Sequence, residues 1–527
     1  MNQNTSSHPK GLYVLYSTEM WERFNFYGMR ALLSLFLVNA LAYKQNEASI
    51  IYGGFLGLSY LTTMLGGYVS DRYLGNRNCI ILGGITMAIG QLLLFGSAST
   101  FMEGVETANL FMWSGLLFLI LGNGFFKPNI SSMVGQLYAK GDSRLDAAFT
   151  IFYMGINTGA LLGMMICPWL GDVKVDGVRN LDAFKWGFLA AGSAMMIGTI
   201  TFYFLKNKYL LKPDGQAVGL APDFNKAQDS EEEADKADFT NKSIGITLLI
   251  FTSLVYIFHL LFLSEIANPI KDWVYPVIYS AGISLAFLIM TDKTLTNIER
   301  QRIYVMYIIS FFVIFFWSAY EQAGSSLTFI ADQQTDLNFF GIELPPSSVQ
   351  NANSFFIILL AFPFSWFWIW MQKRGIEPNS PAKQAIGLML LALGYLIIAI
   401  QVKDLGSQKL GVAWLFIMYL FHTMGELCLS PIGLSLVAKL APKRFSSLLM
   451  GVWFLANAAG YALAGTLGAL LPPVNAIASG QFPSFLGMEI KNLYDFFMLF
   501  VIMAGIASVL LYILASGPLK KMMHGIR

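Results

Sequence analysis

Seven ionisable side chains lie inside stretches that are otherwise apolar and long enough to cross a membrane. Four are in the first stretch, one is in the fourth, and the other two are near residues 315 and 425. They are Glu19, Glu22, Arg23, Arg30, Lys127, Glu321 and Glu426. A charge at the centre of a membrane helix costs roughly 2.5–3.5 kcal/mol, so seven of them predict a functional role. Such groups pair with one another, face water or bind a charged solute.

The charges of the first stretch have helical spacing. The residues that share one helix face, with Glu22 beside it, are Glu19, Arg23, Tyr27 and Arg30. Arg23 and Arg30 are two turns apart, which is ~10.5 Å along a helix. The alternative is a set of buried ion pairs that only fixes helix packing. Buried pairs stabilise proteins poorly and are better suited to switching, which favours the functional interpretation.

The sum of these charges suggests how a proton could be coupled to a solute. Four carboxylates face three cations, which leaves one negative charge without a counter-charge. One proton neutralises the set, and a zwitterionic solute then adds no net charge. Our hypothesis is that Glu22, supported by Glu19, binds the proton when Arg23 and Lys127 engage the solute, with Glu321 as a further coupling residue.

The composition predicts a membrane protein that positions these charges on helices. The 527 residues are 55% hydrophobic and only 13% charged, whereas a soluble protein carries about 25% charged residues. Fourteen membrane-spanning helices are predicted, with centres near residues 27, 60, 88, 122, 158, 194, 253, 282, 315, 360, 391, 425, 458 and 503. No basic tract indicates nucleic acid, no enzyme motif is present, and no metal or other cofactor is expected. The first span is too long and too charged for a cleaved signal peptide.

Lysine and arginine are unevenly distributed between alternate loops. The odd-numbered loops carry most of them, and the even-numbered loop 332–348 carries none. Positive residues stay on the cytoplasmic side, so both termini are predicted to be cytoplasmic. An even number of spans agrees with this orientation. We expect an inner-membrane, multi-pass location.

The two halves of the chain share a short repeat. Gly122-Asn-Gly-Phe-Phe-Lys-Pro128 aligns with Gly425-Glu-Leu-Cys-Leu-Ser-Pro431. We therefore expect an all-α membrane protein of two six-helix halves with two inserted helices. The predicted organisation is a six-helix bundle at 1–206, a cytoplasmic acidic linker at 207–242, two inserted helices at 243–292 and a second six-helix bundle at 293–527. Transporters built in this way bind solute near mid-bilayer between the halves.

Four motifs identify a family. Gly66-Gly-Tyr-Val-Ser-Asp-Arg-Tyr-Leu-Gly-Asn-Arg77 resembles the loop signature of the major facilitator superfamily. Glu19-Met-Trp-Glu-Arg-Phe-Asn-Phe-Tyr-Gly28 is similar to the E-x-x-E-R-F-x-Y-Y-G motif of proton-dependent oligopeptide transporters. Gly122 to Asn129 and Phe152 to Gly159 resemble that family's fourth- and fifth-helix signatures. The motifs occur in the family's order and on the expected spans. The two inserted helices resemble those of bacterial members, so the resemblance covers essentially the whole chain.

The sequence departs from the family at two positions. Phe26 replaces the first tyrosine of the first motif, which removes one hydroxyl. Gly53 occupies a second-helix position where animal relatives have histidine, so proton coupling cannot use that residue. His259 and His422 lie in other spans, and we expect both to be hydrogen-bonded helix residues rather than coupling groups.

A zwitterionic di- or tripeptide needs a cationic and an anionic subsite. Arg23 and Lys127 are candidates for the peptide carboxylate, and Glu426, with Ser430 one turn beyond it, for the amino terminus. The resemblance implies the same assignment. Further candidate substrate contacts, several of them implied by the resemblance, are Tyr27, Arg30, Tyr60, Tyr153, Asn157, Trp317, Asn353 and Trp453. Taken one at a time, the tryptophans are better explained by ordinary packing in membrane helices. Gate pairs Arg30–Glu321 at the outer side and Lys127–Glu426 at the inner side would support alternating access.

Two other classes stay open at this point. A facilitator of the same architecture could carry another small anion or zwitterion, such as nitrate or an amino acid derivative. It would keep Arg23 but could dispense with Glu22 or Lys127. A channel or receptor would not need a charge-balanced core. We expect the partners to be a peptide, protons and the lipid bilayer, and the working form to be a monomer.

Overall fold

The computed structural model describes residues 7–139, 142, 144–221, 238–263, 268–406, 408–473, 480 and 482–526. The acidic run at 229–235, on which the linker prediction depends, lies outside the described residues. So do Lys140 and Arg527, two of the basic residues on the side predicted to be cytoplasmic.

Long helices dominate the described chain. In the first part they are α1 (Lys10–Asn39), α2 (Gln45–Val69), α3 (Gly75–Thr100), α4 (Val105–Gln136), α5 (Leu145–Gly171), α6 (Phe184–Tyr209), α7 (Asn241–Phe262) and α8 (Tyr275–Met290). In the second part they are α9 (Asn297–Tyr320), α11 (Ala352–Lys373), α12 (Ser380–Lys403), α13 (Val412–Leu440), α14 (Ser446–Gly468) and α15 (Leu493–Ser516). The short helices α10 (Ser326–Gln334) and α16 (Pro518–Met522) complete the set. Each of the fourteen predicted centres falls within one of the long helices.

Twelve segments of the described chain are apolar and long enough to cross a membrane. One of them, Gln45–Thr100, contains both α2 and α3, which are joined by a π-helical turn at Ser70–Leu74. Helix α1 is not among the twelve, although it has 30 residues, because five charged side chains, Lys10 and the four described above, lie along its length. With α1 included and α2 and α3 counted separately, the predicted fourteen helices are confirmed.

The short strands are confined to connections. Antiparallel hairpins pair β1 (Lys174–Val175) with β2 (Val178–Arg179), β4 (Asn338–Phe339) with β5 (Ile342–Glu343), and β7 (Ser484–Phe485) with β8 (Met488–Glu489). A parallel pair joins β3 (Thr335–Asp336) to β6 (Leu410–Gly411). Each hairpin turns through two residues with positive φ, the second a glycine, as two-residue turns of this twist require. The first and third hairpins follow α5 and α14, the fifth helices of the two halves, a second sign of the internal repeat.

The chain forms two compact units. Unit 1 comprises Met1–Tyr43, Ser59–Lys226 and Leu344–Ile358, and unit 2 comprises Lys44–Leu58, Ala227–Glu343 and Leu359–Arg527. Helices α2 and α11 therefore each contribute residues to both units.

In unit 1, α1 packs against α5 and α6, and α3 packs against α4 and α6. A glycine on α5 permits the close approach to α1. A Cβ on Gly159 would meet the backbone oxygen of Met20 and would lie 2.9 Å from the Cβ of Arg23. The tertiary packing thus brings the α5 backbone directly beside the charged part of α1.

The beginning of the predicted linker is anchored in unit 1. Helix α6 continues to Tyr209, and the following residues fold back so that Leu210 and Val218 are fully buried. Arg77, the last residue of the loop signature, donates to the backbone oxygens of Val218 (2.5 Å) and Leu210 (2.6 Å). This arginine therefore holds the backbone of the segment that follows α6.

In unit 2, α14 packs against α8 and α9, and α12 packs against α13 and α15. The first part of α2, up to Leu58, joins this unit through close backbone approaches. A Cβ on Gly53 would lie 2.7 Å from the Cα of Gly465 on α14. Helix α8 adds the fully buried Tyr275, whose hydroxyl donates to the backbone oxygen of Ile50 at 2.9 Å. The absence of a histidine side chain at position 53 is thus accompanied by tight helix contact.

Candidate functional site

Helix α1 carries a buried three-residue ion cluster. The Nε atom of Arg23 lies 3.0 Å from a carboxylate oxygen of Glu19 and also forms an ion pair with Glu22. All three side chains are at most 4% exposed. Glu19 is one helical turn before Arg23 and Glu22 is its neighbour, so a single helix brings the three together. One guanidinium shared by two carboxylates leaves a local excess of one negative charge.

Aromatic rings complete the environment of the α1 arginines. The Cζ of Arg23 is 5.6 Å from the ring centre of Phe26, and the Cζ of Arg30 is 4.8 Å from that of Tyr27. These are cation–π distances. Phe26 therefore contributes a ring face to Arg23, although it lacks the hydroxyl of the family motif.

Lys127 contacts an aromatic ring. Its Nζ lies 3.7 Å from the ring centre of Tyr60, so the structure brings these two predicted site residues together. In the part of the chain that the structure describes, Lys127 forms no ion pair. Its ammonium lies against the π face of a tyrosine.

The predicted polar contacts on the remaining helices of unit 1 are placed as follows. Asn157 on α5 is buried, and its amide donates to the backbone oxygen of Tyr153 at 3.0 Å. Tyr153 is half-exposed. Asn353 lies in the first turn of α11. The side-chain oxygen of Asn157 is not used by that bond and can accept another.

The two carboxylates of unit 2 accept hydrogen bonds from tyrosines. Glu321 begins a 3-10 turn at Glu321–Gly324, directly after α9, and accepts from the hydroxyl of Tyr52 at 3.3 Å. Glu426 on α13 accepts from the hydroxyl of Tyr320. Sequence reasoning missed both tyrosines, although Tyr320 immediately precedes Glu321 and Tyr52 immediately precedes Gly53.

The other predicted residues of unit 2 surround this region. Trp317 packs edge-on against Tyr320, with 5.2 Å between ring centroids. The indole nitrogen of Trp317 and the hydroxyl of Ser430 have no hydrogen-bond partner among the described residues. Trp453 is buried, and its ring occupies the space that a Cβ on Gly433 would need. That contact is helix packing, one of the two interpretations given above for the tryptophans.

The two histidines differ in their hydrogen bonding. His259 Nδ1 lies 2.7 Å from the backbone oxygen of Asp272, so the prediction for this residue is confirmed. The prediction that His422 is hydrogen-bonded is wrong, because neither ring nitrogen has a partner in the described structure. His422 is fully buried, and its ring centroid lies 4.6 Å from that of Tyr395. Aromatic contacts hold this imidazole. No group of three or more metal-ligating side chains is found among the residues described.

Comparison with known proteins identifies the family. Residues 77–481 match PTR2, the POT family. The peptide transporter YePEPT of Yersinia enterocolitica subsp. palearctica is 35% identical over 476 residues, 88% of each chain. The di-/tripeptide transporter of Lactococcus lactis subsp. cremoris is 32% identical over 473 residues, 86% of this chain and 88% of the relative. A solved POT family transporter in complex with 5-aminolevulinic acid superposes with a TM-score of 0.76 at 28% identity, covering 97% of both chains. This chain, a multi-pass membrane protein, belongs to the POT family.

Proposed function

We propose that this chain is a proton-coupled symporter that imports di- and tripeptides across the inner membrane by alternating access. The observation that carries the proposal is the buried cluster in which Glu19 and Glu22 share the guanidinium of Arg23. Family membership and the peptides named for two relatives support the substrate class.

The cluster is suited to exchange. A peptide carboxylate that binds Arg23 competes with Glu19 and Glu22 for the same guanidinium donors. A carboxylate displaced from its cation in a buried site is costly as an anion, so it takes up a proton. Glu22 is fully buried, which makes it the stronger candidate for the protonated group, with Glu19 in support. Binding of peptide and binding of proton then favour each other.

The peptide subsites follow from the charges of the two units. In this proposal Arg23 and Lys127 bind the peptide carboxylate, and Glu426 binds the amino terminus. The proposed supporting contacts are Tyr27, Arg30, Tyr60, Tyr153, Asn157 and Asn353 from unit 1, and Trp317, Ser430 and Trp453 from unit 2. The pairs Arg30–Glu321 and Lys127–Glu426 are proposed as gates that form and break during the cycle. Cytoplasmic termini and a monomeric working form belong to the same proposal.

Uptake of labelled di-alanine into proteoliposomes tests the proposal. We expect accumulation only with an inward proton gradient and an inside-negative potential. Glu22→Gln should abolish accumulation driven by protons and keep exchange of peptide for peptide, because an amide cannot release a proton but still fills the site. Glu103→Gln, which changes an exposed carboxylate outside the membrane helices, is the matched control and should behave as wild type.

Two results would contradict this assignment. If folded, monodisperse protein takes up no di-alanine, the substrate is wrong, and nitrate and amino acid derivatives become the compounds to test. Amino acid derivatives should be tested first, because a solved member of the family is in complex with 5-aminolevulinic acid. If Glu22→Gln loses exchange, accumulation and folding together, the cluster serves helix packing.

A further inference from the structure

We propose that Tyr320 is a positioning residue for Glu426 and thereby helps to select substrates that carry a primary ammonium group. The inference rests on the proposed function, because it assigns to Glu426 the binding of the peptide amino terminus. It adds a residue that the sequence motifs do not indicate.

Tyr320 and Glu426 are in direct contact. Tyr320 is the last residue of α9, and Glu426 lies in the middle of α13, so the hydrogen bond joins two helices of the same unit. The hydroxyl donates to Oε2 of the carboxylate. Tyr320 is buried, whereas Glu426 is partly exposed. A buried donor thus reaches a carboxylate that a ligand can still approach.

The donor, Tyr320, is held rigidly by neighbouring rings. The Tyr320 ring stacks on Phe316, with 5.6 Å between centroids and 20° between planes. It also meets Trp317 edge-on at 5.2 Å and lies 6.4 Å from the ring of His422. A ring enclosed on several sides cannot change rotamer freely, so its hydroxyl is fixed in space. The carboxylate bound to that hydroxyl loses much of its own freedom before any ligand arrives.

A phenol can orient a carboxylate without removing its charge. A carboxylate has about four lone-pair directions on its two oxygens, and one hydroxyl uses only one of them. A phenol is also neutral at ordinary pH, so its hydrogen bond leaves the negative charge of Glu426 in place. The tyrosine contact by itself therefore does not prevent an ammonium group from binding to the oriented carboxylate. A ligand without a positive amino terminus gains nothing from this arrangement.

The same aromatic cluster contains a second tyrosine, Tyr395, that serves as a matched control for Tyr320. Tyr395 is fully buried, its ring lies 4.6 Å from that of His422, and its hydroxyl donates to the backbone oxygen of Ala319 at 2.6 Å. It resembles Tyr320 in burial and surroundings, but its hydrogen bond goes to a backbone oxygen. The pair separates loss of a buried hydroxyl from loss of the carboxylate contact.

The test measures KM and maximal rate for proton-driven di-alanine uptake by the full-length protein in proteoliposomes. Tyr320→Phe should raise KM about tenfold, the effect of losing one hydrogen bond to a charged group, and leave the maximal rate within about twofold. Tyr395→Phe should lower thermal stability and leave KM unchanged. The same KM in wild type and Tyr320→Phe would overturn the inference, as would an equal rise in both variants.

A second variant covers the case in which Tyr320→Phe does not fold. Glu426→Asp keeps the charge and shortens the side chain by one methylene, which withdraws the carboxylate from the Tyr320 hydroxyl. It should also raise KM, and an unchanged KM would refute the inference. Failure of the wild type to take up di-alanine is a different result, since it contradicts the proposed function before any variant is compared.

Discussion

The carboxylates of the predicted site, two in unit 1 and two in unit 2, are held by different groups. In unit 1, Glu19 and Glu22 contact a guanidinium on their own helix. In unit 2, Glu321 and Glu426 each accept a hydrogen bond from a tyrosine, Tyr52 on α2 and Tyr320 on α9. The first arrangement is built from neighbours in sequence, and the second depends on separate helices being packed together.

The difference has a physical consequence. A cation neutralises a carboxylate, so a proton or a second anion must compete with it and changes the pairing. A phenol orients a carboxylate without neutralising it, so this contact does not itself compete with a cation for the charge. We infer that the α1 cluster is suited to exchange and that the unit 2 carboxylates are suited to binding cationic groups. The predictions below test this distinction.

The largest effect is expected from removal of the shared cation. Arg23→Gln leaves two buried carboxylates without their guanidinium and should destabilise the protein by about 3–5 kcal/mol and abolish uptake. Thermal unfolding in detergent and di-alanine uptake measure the two effects. Arg374→Gln, at an exposed arginine, is the control and should be close to wild type. Wild-type stability of Arg23→Gln would show that the cluster is not a coupled unit.

A smaller effect is expected from a methyl group added beside the cluster. Gly159→Ala places a Cβ against the backbone of Met20 and within 2.9 Å of the Arg23 Cβ. Overpacking of this kind should cost about 1–3 kcal/mol and reduce peptide uptake, because α1 must move away from α5. In Gly505→Ala the added Cβ meets nothing within 4 Å, so that helix should be unchanged or slightly stabilised. Equal behaviour of the two variants would mean that α5 does not position Arg23.

The smallest effect is expected at the phenol on Glu321. Tyr52→Phe removes a 3.3 Å hydrogen bond and should cost about 0.5–1.5 kcal/mol. Tyr275→Phe removes a 2.9 Å hydrogen bond to the backbone of Ile50 from an equally buried tyrosine. Both should lower the melting temperature, but only Tyr52→Phe should weaken accumulation driven by protons, since only it touches a carboxylate. If both variants changed proton coupling, a tyrosine bonded to a carboxylate would not differ in function from one bonded to a backbone oxygen.

Much of the molecule could be predicted from the sequence because the bilayer imposes simple rules. A spanning helix needs about 20 apolar residues, so each predicted centre falls within an observed helix. The Glu19–Arg23–Glu22 cluster was also predictable, because residues one helical turn apart on one helix must be neighbours. The motifs on α1, on the α2–α3 connection, on α4 and on α5 identified the family from residue identities alone.

The tertiary structure decided how the isolated charges of unit 2 are held. Nothing in the spacing of Tyr320 and Glu426, or of Tyr52 and Glu321, places them in contact, because the partners lie on different helices and far apart in the chain. The same reason explains the wrong prediction for His422, whose nearest ring, that of Tyr395, belongs to another helix. The sequence by itself determined the helices, the charges and the contacts within one helix turn. Contacts between helices depend on packing and crossing geometry, which short-range periodicity does not encode.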